Sequence, residues 1–309
     1  MSDDFTIRLG TRSSPLARWQ ADWVTARLQD LGVRVEQVLI STQGDVTSGP
    51  IGSFGGQGVF TKEIQRALLD GRVDLAVHSM KDLPTESVPG LMIGAIPERE
   101  TVGDVLVSVT GLSVSELPRE ARVGTGSTRR QAQLLHQRPD LRLSDLRGNV
   151  ETRLRRLDAG DFEAIVLAEA GLKRLGLSPR IVHVIPPEQM LPAVGQGALA
   201  LEVREGDDAT LGVVNKLDDA VSRGRVEAER AFLAALRGGC LAPVGALSRA
   251  HDDELVLEGV VLSADGRQRL QAQRRGALSQ ARALGVALAE ELLAQGAREL
   301  IAGARANPA

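Results

Sequence analysis

Short apolar segments alternate with longer amphipathic segments through the first two thirds of this sequence. The apolar segments, which we predict as strands, span residues 6–11, 33–41, 74–78, 91–96, 104–109, 121–124, 164–168 and 198–203. Predicted helices at residues 15–31, 59–69 and 128–136 lie between them, and the first repeats its apolar residues at helical period. Short β-branched strands between helices predict a mostly parallel sheet covered by helices on both faces.

Two pairs of segments repeat in the same order along the chain. Residues 8–13, RLGTRS, resemble residues 122–127, RVGTGS. Both segments lie at a predicted strand-to-helix turn. Residues 71–77, GRVDLAV, likewise resemble residues 160–166, GDFEAIV. The repetition predicts two related α/β lobes.

The last part of the chain has a different pattern. A predicted helix at residues 225–236 leads into Gly238-Gly239-Cys240, followed by predicted strands at 244–249, 255–262 and 268–274 and a helix at 278–293. This order is typical of a smaller α+β domain.

Composition excludes several classes of protein. Of 309 residues, 43% are hydrophobic and 25% charged, which is typical of a globular chain, and only 2% are aromatic, which disfavours stacking on nucleic-acid bases. A single cysteine excludes an internal disulfide, and the four histidines lack metal-ligand spacing. The acidic start resembles no secretory signal, and no apolar run is long enough to span a membrane. We therefore expect a cytoplasmic protein with no metal.

Charge is concentrated in one region. The net charge is −3, yet residues 119–156 carry ten arginines against four acids and the rest of the chain is acidic. A guanidinium patch on an acidic protein predicts a local anionic ligand, while a solvated basic face remains the alternative.

The predicted strand-to-helix turns place arginines beside helix N-termini. Ser14 is a candidate N-cap with Arg12 beside it, and Arg129 and Arg130 fall in the first turn of the second such helix, which Ser127 could cap. Arginine at a helix N-terminus is unfavourable unless an anion compensates for it.

Two further arginines surround a glycine. Arg147 and Arg153 lie on either side of Gly148 and could face one cleft if the glycine turns the chain. Guanidinium groups bind carboxylates and phosphates through paired hydrogen bonds. Several separate arginines favour a ligand with several carboxylates, with nucleic-acid phosphate as the alternative.

Three other segments are candidates for chemistry. Lys81 and Asp82 follow a predicted buried strand, where α/β sheets place functional residues, and a surface ion pair is the alternative. Cys240 lies between two glycines and a nearby proline, a context that favours an exposed, reactive thiol. The glycine-rich residues 52–58 are typical of a flexible active-site loop.

Taken together, these segments resemble the porphobilinogen deaminase family, whose members are also called hydroxymethylbilane synthases. The matching blocks occur in the family's order at residues 8–17, 78–82, 123–131, 146–150, 170–176, 191–197 and 238–243. The resemblance implies two type II periplasmic-binding-protein-like lobes around a cleft, plus a small α+β C-terminal domain. Lobe 1 would comprise residues 1–98 and 197–216, lobe 2 residues 103–192, and the third domain residues 220–309.

The resemblance also implies an activity. Members of the family condense four porphobilinogen molecules head to tail with loss of four ammonia and hydrolytic release of hydroxymethylbilane, in haem biosynthesis. A dipyrromethane cofactor, built from two substrate units and present once per chain, would be bound to Cys240 through a thioether. The resemblance further implies a monomer that passes its product to uroporphyrinogen-III synthase and binds neither nucleic acid nor membrane.

Site residues are carried over from the matching blocks. Asp82 would be the catalytic carboxylate. The implied cofactor contacts are Lys81, Asp82, Thr125, Ser127, Arg129, Arg130 and Arg153. The implied substrate contacts are Arg8, Arg12, Ser14, Phe60, Arg147, Arg153, Arg174 and Gln196. The chain departs from the family at Gly126, where serine is frequent, and at Gln57, where lysine is common.

The main alternative is a non-catalytic, two-lobed binding protein for a small polycarboxylate. Such a protein would use the arginines but has no need for Cys240 or Asp82.

Overall fold

The computed structural model describes residues 5–42, 61–239 and 242–306. Cys240, Phe60, Gln57 and the predicted loop at residues 52–58 lie outside the described residues. The chain divides into two compact units, the first formed by residues 1–100 and 198–223 and the second by residues 101–197 and 224–309. The division into three domains at the predicted boundaries stays a prediction.

Strands and helices alternate much as predicted. The strands are β1 (Thr6–Thr11), β2 (Arg34–Leu39), β3 (Leu75–Ser79), β4 (Leu91–Ala95), β5 (Asp104–Ser108), β6 (Arg122–Gly124), β7 (Arg142–Ser144), β8 (Ala164–Ala168), β9 (His183–Ile185), β10 (Leu199–Arg204), β11 (Val244–His251), β12 (Glu254–Leu262) and β13 (Arg269–Ala277). The helices are α1 (Pro15–Asp30), α2 (Lys62–Leu69), α3 (Thr128–Gln137), α4 (Val150–Asp158), α5 (Glu169–Arg174), α6 (Asp208–Val214), α7 (Ala220–Ala235), α8 (Ala281–Ala294) and α9 (Ala297–Ala306).

The first unit contains a five-stranded sheet in the order β2-β1-β3-β10-β4. Strand β10 runs antiparallel to both its neighbours, whereas β1 pairs in parallel with β2 and β3. Side chains alternate along β3, so that Leu75 and Val77 pack with α1 while Ala76 packs with α2. Because both faces of β3 are buried, its sequence is a nearly continuous run of apolar residues.

The second unit repeats this arrangement in a sheet of order β7-β6-β8-β5-β9, in which β5 is the reversed strand. Along β8, Ala164 and Val166 belong to one apolar cluster, and Ile165 and Leu167 belong to the cluster on the other face. The predicted mostly parallel sheet, covered on both faces, is therefore confirmed in both lobes, each with one antiparallel strand.

One ion pair recurs at matching positions of the two lobes. Arg8 donates its backbone N–H to Asp74 Oδ2 at 3.0 Å and its Nη2 to Oδ1 at 2.7 Å. Arg122 bonds Glu163 in the same way, through its backbone N–H at 2.5 Å and Nη2 at 2.8 Å. The segments that resemble each other in sequence thus occupy equivalent places in two similar sheets.

The second unit also contains the small α+β part that was predicted. Strands β11, β12 and β13 form an antiparallel sheet, and helices α7, α8 and α9 pack on one face of it. Val260 and Leu262 point to the other face, where they pack with Ala132 of α3 and Leu191. The turn after β12 approaches α3 so closely that a Cβ on Gly266 would lie 2.5 Å from the Ala132 carbonyl oxygen.

Within the described ranges, no helix is both long and apolar enough to cross a membrane. The same residues contain no group of three or more side chains arranged to hold a metal ion.

Candidate active site

A pocket in the first unit lies where β1 and β3 end. Because these neighbouring strands are parallel, the segments that follow them emerge at the same edge of the sheet. The pocket brings together three of the predicted site residues, Arg12, Ser14 and Asp82. Its other lining residues are Leu16, Ala17, Gln20, Thr61, Val77, His78 and Ser79.

Ser14 begins helix α1 at this pocket. Its backbone is extended, its Oγ accepts a hydrogen bond from the Ala17 N–H at 3.4 Å, and Pro15 occupies the first helical position. The predicted cap is therefore confirmed. A helix N-terminus carries partial positive charge from its unpaired N–H groups, so this wall of the pocket suits an anion.

Asp82 is held at the pocket by a short 3₁₀ turn, Met80–Asp82, that follows β3. The buried Met80 donates its N–H to the Ala198 carbonyl at 3.0 Å, and the Leu83 N–H donates to the Met80 carbonyl at 3.2 Å. These bonds fix both ends of the turn. Lys81 is half-buried in the same turn but does not line the pocket.

Buried polar groups support the strand that precedes this turn. His78 Nε2 lies 3.1 Å from Glu202 Oε2, and Gln65 Nε2 donates to Glu202 Oε1 at 3.0 Å. At the next residue, Ser79 Oγ accepts from Gln20 Nε2 at 2.8 Å. The end of β3 is thereby fixed to β10, α2 and α1, which positions Asp82.

Arg8 lies elsewhere in the first unit. Its partner Asp74 precedes β3, whereas Asp82 follows that strand, so the two residues mark opposite edges of the sheet. Burial favours the protonated form of Asp74, but hydrogen bonds from Arg8 and Arg204 outweigh it and lower the pKa of Asp74 to about 2. The structure does not bring Arg8 together with Arg12, Ser14 and Asp82.

In the second unit, Arg129 and Arg130 surround one carboxylate. Arg129 Nη1 donates to Asp104 Oδ2 at 2.7 Å, and all three side chains are at least nine-tenths buried. Burial alone would raise the pKa of Asp104, but the charges of Arg129 and Arg130 outweigh it and hold that pKa well below its usual value. Gln196 Nε2 also donates to Asp104, at 3.0 Å.

This buried cluster has one more cation than anion. Arg130 Nη1 donates a hydrogen bond to the Val166 carbonyl at 2.8 Å. Arg129 Nη1, which bonds Asp104, also donates to the Leu191 carbonyl at 2.7 Å. The Nε of Arg129 is buried and has no hydrogen-bond partner among the described residues. The cluster can therefore accept a further anionic oxygen.

Ser127 and Thr125 lie at the N-terminus of α3. Ser127 Oγ accepts from the Arg130 N–H at 3.4 Å, which confirms Ser127 as the cap of this helix. The Ser127 N–H in turn donates to Thr125 Oγ1 at 3.3 Å. A Cβ on Gly126 would lie 2.7 Å from Asp145 Oδ1 and 3.1 Å from the Leu146 carbonyl oxygen, so serine would crowd this turn.

The other arginines predicted to bind the ligand in the second unit, Arg147, Arg153 and Arg174, are half-buried. Arg147 Nε donates to Asp145 Oδ2 at 2.5 Å, Arg153 Nε donates to the Gly148 carbonyl at 2.8 Å, and Gly148 has a φ of 106°. The positive φ of Gly148 turns the chain between Arg147 and Arg153, and a common cleft for the two arginines stays a prediction. Arg174 Nη2 donates to the Gly197 carbonyl at 2.7 Å.

Backbone hydrogen bonds are present on both sides of Cys240, at Gly238 and at Ala242. Gly238 donates its N–H to the Leu233 carbonyl at 3.1 Å, directly after α7, and the Ala242 N–H donates to the Gly239 carbonyl at 3.0 Å.

Several residues at these sites gave no signal in the sequence. Thr61, the residue before α2, and Gln20 of α1 line the pocket, and Glu202 reaches His78 from a strand 124 residues later in the chain. Asp104 looked like the start of an ordinary strand. Gln20, Glu202 and Asp104 each bond a residue that is distant in sequence, and only the structure shows these contacts.

Comparison with known proteins identifies the family. Residues 7–212 match the family model described as porphobilinogen deaminase, dipyromethane cofactor binding domain, and residues 224–294 match the model of the porphobilinogen deaminase C-terminal domain. A relative named porphobilinogen deaminase from Syntrophotalea carbinolica is 49% identical over 305 residues, which cover 98% of this chain and 97% of the relative. Another of that name, from Pelotomaculum thermopropionicum, is 50% identical over 302 residues, covering 97% of each.

Solved structures match with lower similarity. The lipoprotein Tp32 from Treponema pallidum is 16% identical, with a TM-score of 0.45, and the match covers 69% of this chain and 90% of that protein. The two family models together cover most of the present sequence. The chain belongs to the porphobilinogen deaminase family.

Proposed function

We propose that this chain is a hydroxymethylbilane synthase, a transferase of tetrapyrrole biosynthesis. It condenses four porphobilinogen molecules head to tail, releases four ammonia, and hydrolyses the linear product from a covalent dipyrromethane primer. The observation that carries this proposal is the pocket in which Asp82, Arg12 and Ser14 meet, in a chain that belongs to this family.

The pocket suits the chemistry of the substrate. Porphobilinogen is a pyrrole with an acetate, a propionate and an aminomethyl group. Loss of ammonia leaves positive charge on the ring, and a carboxylate fixed nearby stabilises that charge. Asp82 supplies this carboxylate, while Arg12 and the N-terminus of α1 bind a carboxylate of the substrate.

The second unit suits a ligand with several carboxylates. Dipyrromethane carries four carboxylates, and the buried cluster of Arg129, Arg130 and Asp104 has excess positive charge and an unpartnered donor. When bound, this cofactor supplies the pyrrole position to which the first substrate is joined. We assign its binding to Arg129, Arg130, Ser127 and Thr125, together with Lys81, Asp82 and Arg153, and its thioether to Cys240.

Other assignments complete the proposal. Arg147, Arg153, Arg174 and Gln196 are assigned to the growing chain on the family resemblance, and the half-buried side chains of the three arginines leave part of each guanidinium accessible to it. Arg8 and Phe60 are assigned to substrate binding on the family resemblance alone.

We also propose a monomer in the cytoplasm that passes hydroxymethylbilane to uroporphyrinogen-III synthase. A single cysteine that must stay reduced until it carries the primer suits that compartment.

A stoichiometric assay tests this function. The purified protein is incubated with porphobilinogen, and ammonia and hydroxymethylbilane are measured together. We expect four ammonia for each hydroxymethylbilane. A protein that binds porphobilinogen but releases no ammonia would instead be a polycarboxylate-binding protein.

A further inference from the structure

We propose that Thr61 is a substrate-binding residue, whose hydroxyl donates a hydrogen bond to a carboxylate of the pyrrole substrate. This inference rests on the proposed function and deepens it, because it names a further contact in the pocket that contains Asp82.

The first observation concerns the hydroxyl itself. Thr61 is 1% exposed and lines the pocket, and its Oγ1 is buried with no hydrogen-bond partner among the residues that the structure describes. A buried hydroxyl without a partner destabilises a folded protein, and valine has nearly the same shape without that cost. The unused hydroxyl therefore points to a partner that arrives with a ligand.

The second observation concerns the helix that Thr61 begins. Thr61 is the N-cap residue of α2, yet its side chain accepts no capping hydrogen bond from that helix. Ser14, which begins α1 at the same pocket, does make such a bond, to the Ala17 N–H. The hydroxyl of Thr61 is thus left for another partner.

These two helices determine the class of ligand. The N-termini of α1 and α2 both reach one pocket, and each favours negative charge. Porphobilinogen carries its acetate and propionate on neighbouring ring carbons, so one molecule offers two carboxylates to two helix N-termini. Ser14 and Arg12 bind one carboxylate, and Thr61 binds the other.

Three variants of the holoenzyme test this assignment. Thr61→Val removes the hydroxyl and keeps the shape, Thr61→Ser keeps the hydroxyl, and Thr210→Val changes a buried threonine of α6 that does not line the pocket. Because a hydrogen bond to a charged group is lost, we expect Thr61→Val to raise KM for porphobilinogen by about tenfold or more, with kcat little changed. The other two variants keep the wild-type KM.

Thermal unfolding of the same proteins separates binding from folding. Thr61→Val is expected to melt at the same temperature as the wild type or higher, since the unpartnered hydroxyl is gone. An unchanged KM in Thr61→Val overturns the inference, as does an equal rise in KM in Thr61→Ser. A wild-type protein that does not consume porphobilinogen overturns the proposed function instead, so the two failures are distinguishable.

Discussion

Arg130 donates both Nε and Nη2 to a single oxygen of Asp104, at 3.0 and 2.7 Å. The other oxygen of Asp104 accepts from Arg129. One fully buried carboxylate therefore sets the direction of both guanidinium groups.

Substituting Asp104→Asn tests that relationship. The change leaves two buried cations without a counterion, so we expect a loss of about 3–5 kcal/mol in the free energy of unfolding, measured by urea denaturation. Asp158→Asn breaks an exposed pair with Arg180 and is the control, with an expected loss below about 1 kcal/mol. Equal stabilities for the two variants would contradict the role of Asp104.

Asp74 makes the free energy of unfolding depend on pH in the acidic range. Its pKa is lowered to about 2 in the folded protein from an ordinary value of 3.8, so its contribution is fully present above pH 4 and is lost as pH falls towards 2. That shift corresponds to about 2 kcal/mol. Asp74→Asn should lower the free energy of unfolding at neutral pH. In this variant the free energy of unfolding should also fall less between pH 4 and pH 2 than in the wild type, as measured by urea unfolding across that range. An unaltered acid profile would show that the bonds to Arg8 and Arg204 contribute nothing.

The substitution Gly266→Ala, compared with Gly71→Ala, tests the packing of the C-terminal sheet against α3. Its φ is 71° and a Cβ would meet the Ala132 carbonyl, whereas Gly71, with a φ of 67°, has open space around it. Both alanine variants incur the cost of a left-handed backbone, about 1 kcal/mol, but only Gly266→Ala also creates a clash with backbone. We therefore expect a clearly larger drop in melting temperature for Gly266→Ala, and equal drops would argue against this close contact.

Asp82 is expected to be essential for turnover and dispensable for folding. Because it is half-exposed at the pocket, Asp82→Asn should leave the melting temperature nearly unchanged. Loss of the stabilising charge should lower kcat by about a hundredfold or more, measured as hydroxymethylbilane formed by the holoenzyme. Normal turnover in this variant would remove Asp82 from the chemistry.

Local signals predicted much of the fold. The bounds of β1 and β8 match the predicted segments, and Ser14 and Ser127 cap their helices, because hydrophobic period and capping chemistry act over a few residues. The reversed strands β10 and β5 could not be predicted in this way, since their direction depends on pairing with distant strands.

The site was predictable to a smaller extent. Arginines at the start of α3 implied a compensating anion, and the structure shows that Asp104 of the chain itself neutralises one of the two charges. Arg8 repeats the position of Arg122, and its ion pair lies at the opposite edge of the sheet from Asp82. Such partners are set by tertiary contacts, which a sequence pattern does not specify.

The mass of the intact protein tests the covalent primer most directly. We expect purified wild-type protein to be heavier than its sequence by one dipyrromethane, located at Cys240 by peptide mapping, and Cys240→Ser to have its sequence mass and no activity. Wild-type protein that has only its sequence mass and still forms hydroxymethylbilane would contradict the attachment of a primer to Cys240.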